Sequence, residues 1–323
     1  LFDVVRGRQM LGSHSSNDEA DWHGSNSLPY RGYVDSFDSD GFSLAPNSAS
    51  SLADYVNYNN TDYVAWCWKA GGSASSNTDG TITSSVSANT TYGFSVVGYT
   101  GNNTSGATVG HGLSSTPKWI IVKSREQSGQ FWHVYHASLD ADEYAYLNNS
   151  NAVTSGNDFM NGTRPTSSVF TLGNGNGCNK SGDDVIAYCW AEVSGFSKIS
   201  SYNGSGGAAT KVVTGFRPRY IIARPINDSN GNRWHIVDTE RGVGGSAERL
   251  FAEDGSVHTA RQEVLIENDG FIVTNTTTDS GSLNRNTEYI YAAFASKPTG
   301  EDIDSLFDVP TNGTQSDTGA GGE

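Results

Sequence analysis

An all-β fold of tandem jelly-roll-like β-sandwiches is what this sequence predicts, on three observations. First, hydrophobic residues make up 35% and charged residues 17%, and the balance is small and polar, with 38 Gly. Gly and Asn supply the positive φ of tight turns, and Val, Ile, Thr and Tyr suit strands. The 11% of Phe, Trp and Tyr can fill cores where aliphatics are scarce. Second, the apolar segments are short, roughly five to eight residues, with Gly, Asn, Asp or Pro at both ends. Third, a unit recurs along the chain.

The recurrence is clearest in one strand-like stretch. YVAWCWKA at 63–70 matches VIAYCWAEV at 185–193 and, more weakly, YIYAAFAS at 289–296. Cys67 aligns with Cys189 and Ala293; Trp68 aligns with Trp190 and Phe294; Trp66 aligns with Tyr188. Upstream, 93–125 parallels 195–225, so that Trp119 matches Tyr220. FWHVYHASL at 131–139 parallels RWHIVDTERG at 233–242, and the opening LFDVVRG resembles the latter. DSFDSDGFSL at 35–44, TSSVFTL at 166–172 and LIENDGFIV at 265–273 share one slot. The unit spans roughly a hundred residues, a small-domain length. Two complete sandwiches are expected, at 93–191 and 192–296, and a partial one at 1–70 that lacks the first strands of the unit. The Ser/Thr/Asn-rich stretch 71–92 reads as a linker or hairpin, and 297–323 as a C-terminal linker.

In VIAYCW the period of two puts Ile186, Tyr188 and Trp190 on one face and Ala187 and Cys189 on the other. Because Ala293 stands in the cysteine slot, the slot needs a small apolar group rather than a thiol. Three cysteines, an odd number, argue against a disulfide framework. Cys67 and Cys189 are therefore expected buried and free. The large aromatics are expected in the cores, with Trp66 and Trp68 open to solvent because their sandwich is incomplete.

Other motifs read as structural. His133 and His235 each follow a Trp, but no second ligand keeps metal spacing in both copies. Asp3/Arg6 and Asp238/Arg241 fit turn-fixing ion pairs, replaced by His136 and Leu139 in the second copy. DSFDSDG at 35–41 has a flavour of a calcium loop with the wrong spacing, and reads as a turn. No carboxylate pair stands out beside aromatics as a glycosidase would need, and no nucleophile elbow, phosphate loop or zinc signature is present. No catalytic, cofactor-binding or metal residue is assigned, no cofactor is expected, and no ligand-binding residue is singled out.

The net charge of −15 argues against nucleic acid as a partner. No apolar run is long enough to cross a bilayer as a helix. The opening LFDVVRGRQMLG lacks the marks of a signal peptide and an initiator Met, so the sequence is expected to be a fragment of something longer.

The motifs LFDxxRG, SFDSDGFSL, YVAWCWKAGG, NTDGTITSSVSANTTYGFSVVGYTG, VGHGLSSTPKWIIVKSR, GFRPRYIIAR and EDIDSLFDVPTN together resemble virion proteins of tailed bacteriophages. That group is frequent in marine phages of cyanobacteria and is usually labelled tail fibre or appendage. The resemblance covers nearly the whole chain. It implies upstream strands ahead of LFDxxRG, further domains after the IDSL motif, and no catalytic set. It also implies a structural or adhesive virion component, assembled in the host cytoplasm and not an enzyme. Implied partners are other virion proteins, further copies of the chain and a host-surface glycan or receptor. The alternatives are a glycan-binding or glycan-depolymerising sandwich module and a secreted bacterial adhesin.

Overall fold

The computed structural model describes residues 1–7, 9–19, 34–44, 56–57, 60, 62–228, 231–241, 250–254, 263–274 and 282–297. The expected linker at 297–323 lies outside them apart from its first residue. The chain is nearly all β, in antiparallel sheets.

Among the described residues β1 (Val34–Phe37) and β2 (Phe42–Leu44) form a two-stranded hairpin sheet of their own. There follow β3 (Ser75–Asn77), β4 (Ser84–Asn89), β5 (Phe94–Thr100), β6 (Thr108–Gly110), β7 (Trp119–Ser124), β8 (His133–His136), β9 (Glu143–Tyr146), β10 (Thr154–Ser155) and β11 (Val169–Thr171). A one-turn helix α1 (Asn176–Asn179) leads into β12 (Asp184–Trp190). The last set is β13 (Ser197–Asn203), β14 (Thr210–Val213), β15 (Tyr220–Pro225), β16 (His235–Asp238), β17 (Leu250–Phe251), β18 (Val264–Glu267), β19 (Gly270–Val273) and β20 (Glu288–Phe294).

The eight-stranded sheet has the order β10-β9-β8-β7-β12-β5-β4-β3, and the five-stranded sheet the order β13-β20-β15-β16-β17. The run β5-β12-β7-β8-β9 of the first is thus repeated strand for strand in the second. Each large sheet has a small one over a single face, β6 with β11 in the first case and β14-β19-β18 in the second. Residues 75–89 form the β3–β4 hairpin, which adds to the edge of β5. β5 and β13 each follow a turn whose glycine, Gly93 or Gly195, has positive φ (63° and 74°). At Gly93 a side chain would also collide with the Ala191 carbonyl.

The alternation read in VIAYCW is present: Val185, Ala187 and Cys189 face one core, and Ile186, Tyr188 and Trp190 another. What each face meets differs from the expectation. The small-residue face packs under β6 and β11, with Val109 and Phe170. The aromatic face does not point into that sandwich. Trp119, Trp132 and Trp190 pack against Ile222, Trp234, Ile290 and Phe294 of the five-stranded sheet. The two large sheets therefore meet through their aromatic faces, and a third core lies between the five-stranded sheet and β14, β18 and β19. The physical reason is that these sheets are covered on both faces, so both sets of alternating side chains are buried; the core under β6 and β11 also takes Tyr99, Tyr135 and Phe170.

Candidate functional site

The densest chemistry lies along the core shared by the two large sheets. Trp119 stacks on Trp190 at 4.4 Å between ring centroids, and Phe94 lies 5.0 Å from Trp190. Trp68 meets Trp190 and Phe294 edge-on at 5.8 and 5.6 Å. Trp119, Trp132, Trp190, Trp234 and Phe294 are buried, and Tyr220 is half-buried. Rings packed on one another in this way are core, with no row of exposed faces on which a sugar could stack. Trp66 and Trp68, expected in solvent, are half-buried, because they lean on the edge of this core.

A polar network closes one end of it. Asp3 accepts the backbone N–H groups of Val5 and Arg6 with one oxygen, and its other oxygen takes the Arg6 Nε at 2.6 Å. Asp238 holds Glu240, Arg241 and the Arg241 Nε in the same way. The turn-fixing role read from the sequence is the geometry found. The rest of the network was not legible. Arg6 also donates to Glu19 at 2.7 Å, to the Leu1 and Gln9 carbonyls and to the Tyr188 hydroxyl, which in turn donates to Asp3 at 2.8 Å. Glu19 takes Arg125 on its second oxygen. Every Arg6 nitrogen has an acceptor, so the group is a brace between the first segment and β12 and has no valence free for a substrate.

The second copy shows how His replaces Asp. His136 Nδ1 accepts the Ser138 N–H at 3.2 Å, as the aspartates accept theirs, and Nε2 donates to the Tyr291 carbonyl at 3.1 Å across the shared core. This fixes a neutral imidazole. Burial lowers the pKa of His136 to about 4, against the help of the Tyr291 carbonyl, and that of His133 to about 4 for the same first cause. A histidine whose folded pKa lies below its unfolded value of about 6.5 loses stability as pH falls through that window. Equilibrium unfolding is therefore expected to show stability constant above about pH 6.5 and falling from there toward pH 4. The slope is expected to become shallower in His136→Asn, whose amide offers an acceptor and a donor without titrating.

Two buried cations were also missed. Lys123 and Arg224 occupy matching positions in β7 and β15, both fully buried. Lys123 donates to the Ser16 and Gln130 carbonyls, and Arg224 to the Tyr146 and Asn151 carbonyls. The available signal was a cation at the same place in IIVKS and IIARP, inside strands that are otherwise apolar.

The remaining motifs are local. His133 is buried and bonds the Phe131 carbonyl, and His235 is buried with its ring 4.8 Å from Phe251. In the β1–β2 turn Asp38 takes the Ser36 and Ser43 hydroxyls at 2.8 and 2.7 Å. Among the described residues no group of three His, Cys, Asp or Glu side chains is placed to hold a metal. Cys67, Cys178 and Cys189 are free thiols. Burial raises the Cys178 pKa to about 12 and pushes that of Cys189 up strongly. Cys67, expected buried, is exposed, because among the described residues no strand pairs with or covers 63–70 as β5, β7, β6 and β11 do for β12. In Cys189→Ala a void no larger than a methyl group forms between the flanking partners Ser95 and Ile120, with an expected cost of about 1 kcal/mol, readable by denaturant unfolding.

A family described as Domain of unknown function (DUF7483) matches residues 1–298. The chain belongs to this family. The DUF7483 match takes in both large sheets, the shared aromatic core and the Asp3–Arg6 brace, so all of these features lie within the span that defines the family. No curated protein and no solved structure matches the chain.

Proposed function

We propose that this protein is a structural or adhesive component of a bacteriophage virion, such as a tail fibre, appendage or capsid-attached fibre, and that it has no catalytic role. The observation that carries the reading is how its strongest polar groups are used. Arg6, Glu19, Lys123 and Arg224 are buried and spend their hydrogen bonds joining segments far apart in the chain. Aromatic cores with saturated polar braces suit a part that bears load. The motif resemblance to phage appendage proteins supplies the particle context. Other virion proteins and further copies of the chain are the partners this implies, with a host-surface glycan or receptor as target. The net charge of −15 fits partners other than nucleic acid.

Mass spectrometry of density-purified particles from the source culture tests the reading. Peptides of this chain are expected to co-sediment with capsid proteins at a fixed ratio. Their recovery only from the soluble fraction of uninfected cells would overturn it.

A further inference from the structure

The segment 63–70 sits where a strand belongs and carries no ladder. Its equivalents do: β12 is held between β5 and β7, and β20 between β13 and β15. Its placement matches theirs in detail. Trp119 of the second copy reaches Phe294 of the third at 6.5 Å, and Tyr220 of the third reaches Trp68 of the first at 5.3 Å. The residue at the end of the β8-type strand follows the same order. Asp3 bonds Tyr188, His136 bonds the Tyr291 carbonyl, and Asp238 accepts from Trp66 Nε1 at 3.3 Å. The contacts run first to second, second to third and third to first. That is a closed, three-fold-like ring around Trp68, Trp190 and Phe294.

We infer that 63–70 is an acceptor for two β-strands of the same pattern as β5 and β7, which would complete a third sandwich in this ring. Two independent exposures support it. The small-residue face of the segment, Ala65 and Cys67, is exposed, whereas Ala187, Cys189 and Ala293 at the matching positions are fully buried. In the hairpin that should cover that face, Phe42 and Leu44 are 36% and 38% exposed, whereas their equivalents Phe170, Leu172, Phe271 and Val273 are all at 0%. Among the described residues both halves of one core thus lie open.

The occupant is specified by the two filled positions. One strand carries a Gly-Phe-Ser start whose Phe packs on Trp68, as Phe94 packs on Trp190 and Phe196 on Phe294. The other carries an aromatic, two Ile and then a cation, as in Trp119–Lys123 and Tyr220–Arg224. Backbone pairing on both edges supplies affinity, and the alternate side chains supply selectivity.

A synthetic peptide of residues 93–124, which holds both strand patterns, is the probe. In the full chain Cys67 is the exposed thiol, and partial desolvation raises its pKa, so maleimide labelling is run near pH 8.5. The peptide is expected to slow Cys67 labelling at least about tenfold, the factor that follows from ten-to-one occupancy, while a scrambled peptide leaves the rate unchanged. Cys67→Arg, at an exposed position, is expected to keep the melting temperature and to lose binding of the fluorescent peptide, because a long cation cannot enter a core slot. An unchanged Cys67 rate with saturating peptide would overturn the inference. So would equal binding of the peptide to Cys67→Arg, which would place the contact elsewhere. Neither outcome bears on whether the chain is a virion component.

Discussion

Trp132→Ala is expected to destabilise the whole protein by about 3–5 kcal/mol, enough to unfold a domain of ordinary stability. Trp132 is fully buried in the core between the large sheets, lies 6.3 Å from Tyr188 and donates its Nε1–H to the Gly12 carbonyl at 3.0 Å. Truncation removes the ring, leaves a cavity too hemmed in by two sheets to collapse, and orphans a carbonyl. Its equivalent Trp234 donates to the Tyr146 carbonyl at 2.8 Å, so Trp234→Ala belongs in the same class. Trp132→Phe separates the two contributions. It keeps most of the volume and loses the hydrogen bond, with an expected cost of about 1–3 kcal/mol. Urea unfolding of the three variants gives the ranking directly.

Arg6→Met is expected to cost about 3–5 kcal/mol. The guanidinium lies between Asp3 and Glu19, with both salt bridges at 2.6–2.7 Å and its own side chain fully buried. Removing it leaves the buried Asp3 carboxylate without its cation, Glu19 with Arg125 alone, and Tyr188 without one of its partners. The cost comes from the stranded charge, so the double variant Arg6→Met with Asp3→Asn should be less damaged than the single one, since only Glu19, still paired with Arg125 at 2.8 Å, remains charged. A double variant as unstable as the sum of the two single variants would show that the pair is not coupled.

How much of this the sequence disclosed depends on the range of each interaction. Strands, their repetition and their two faces were legible, because alternation and turn residues are local signals. The Asp3–Arg6 and Asp238–Arg241 braces were legible for the same reason, since each closes within a few residues. Which layer covers which face was not. A period of two in VIAYCW separates Tyr188 and Trp190 from Cys189, but it does not say that the aromatic side meets another sheet rather than its own sandwich. Glu19, Arg125 and Tyr188 join Arg6 across separations that leave no pattern in the chain. Cys67 was misplaced by equivalence: it matches Cys189 in sequence, but burial is conferred by neighbouring strands, and among the described residues none pairs with 63–70. The virion reading rests on motif resemblance and on chemistry turned inward, and the particle experiment above decides it.

The central structural claim is that the two strand sets share one aromatic core and therefore form one cooperative unit. Differential scanning calorimetry of the full chain tests it most directly. A single transition is expected, with calorimetric and van't Hoff enthalpies in agreement, shifted as a whole to lower temperature by Trp132→Ala. Two resolved transitions, one of them unmoved by that substitution, would contradict it.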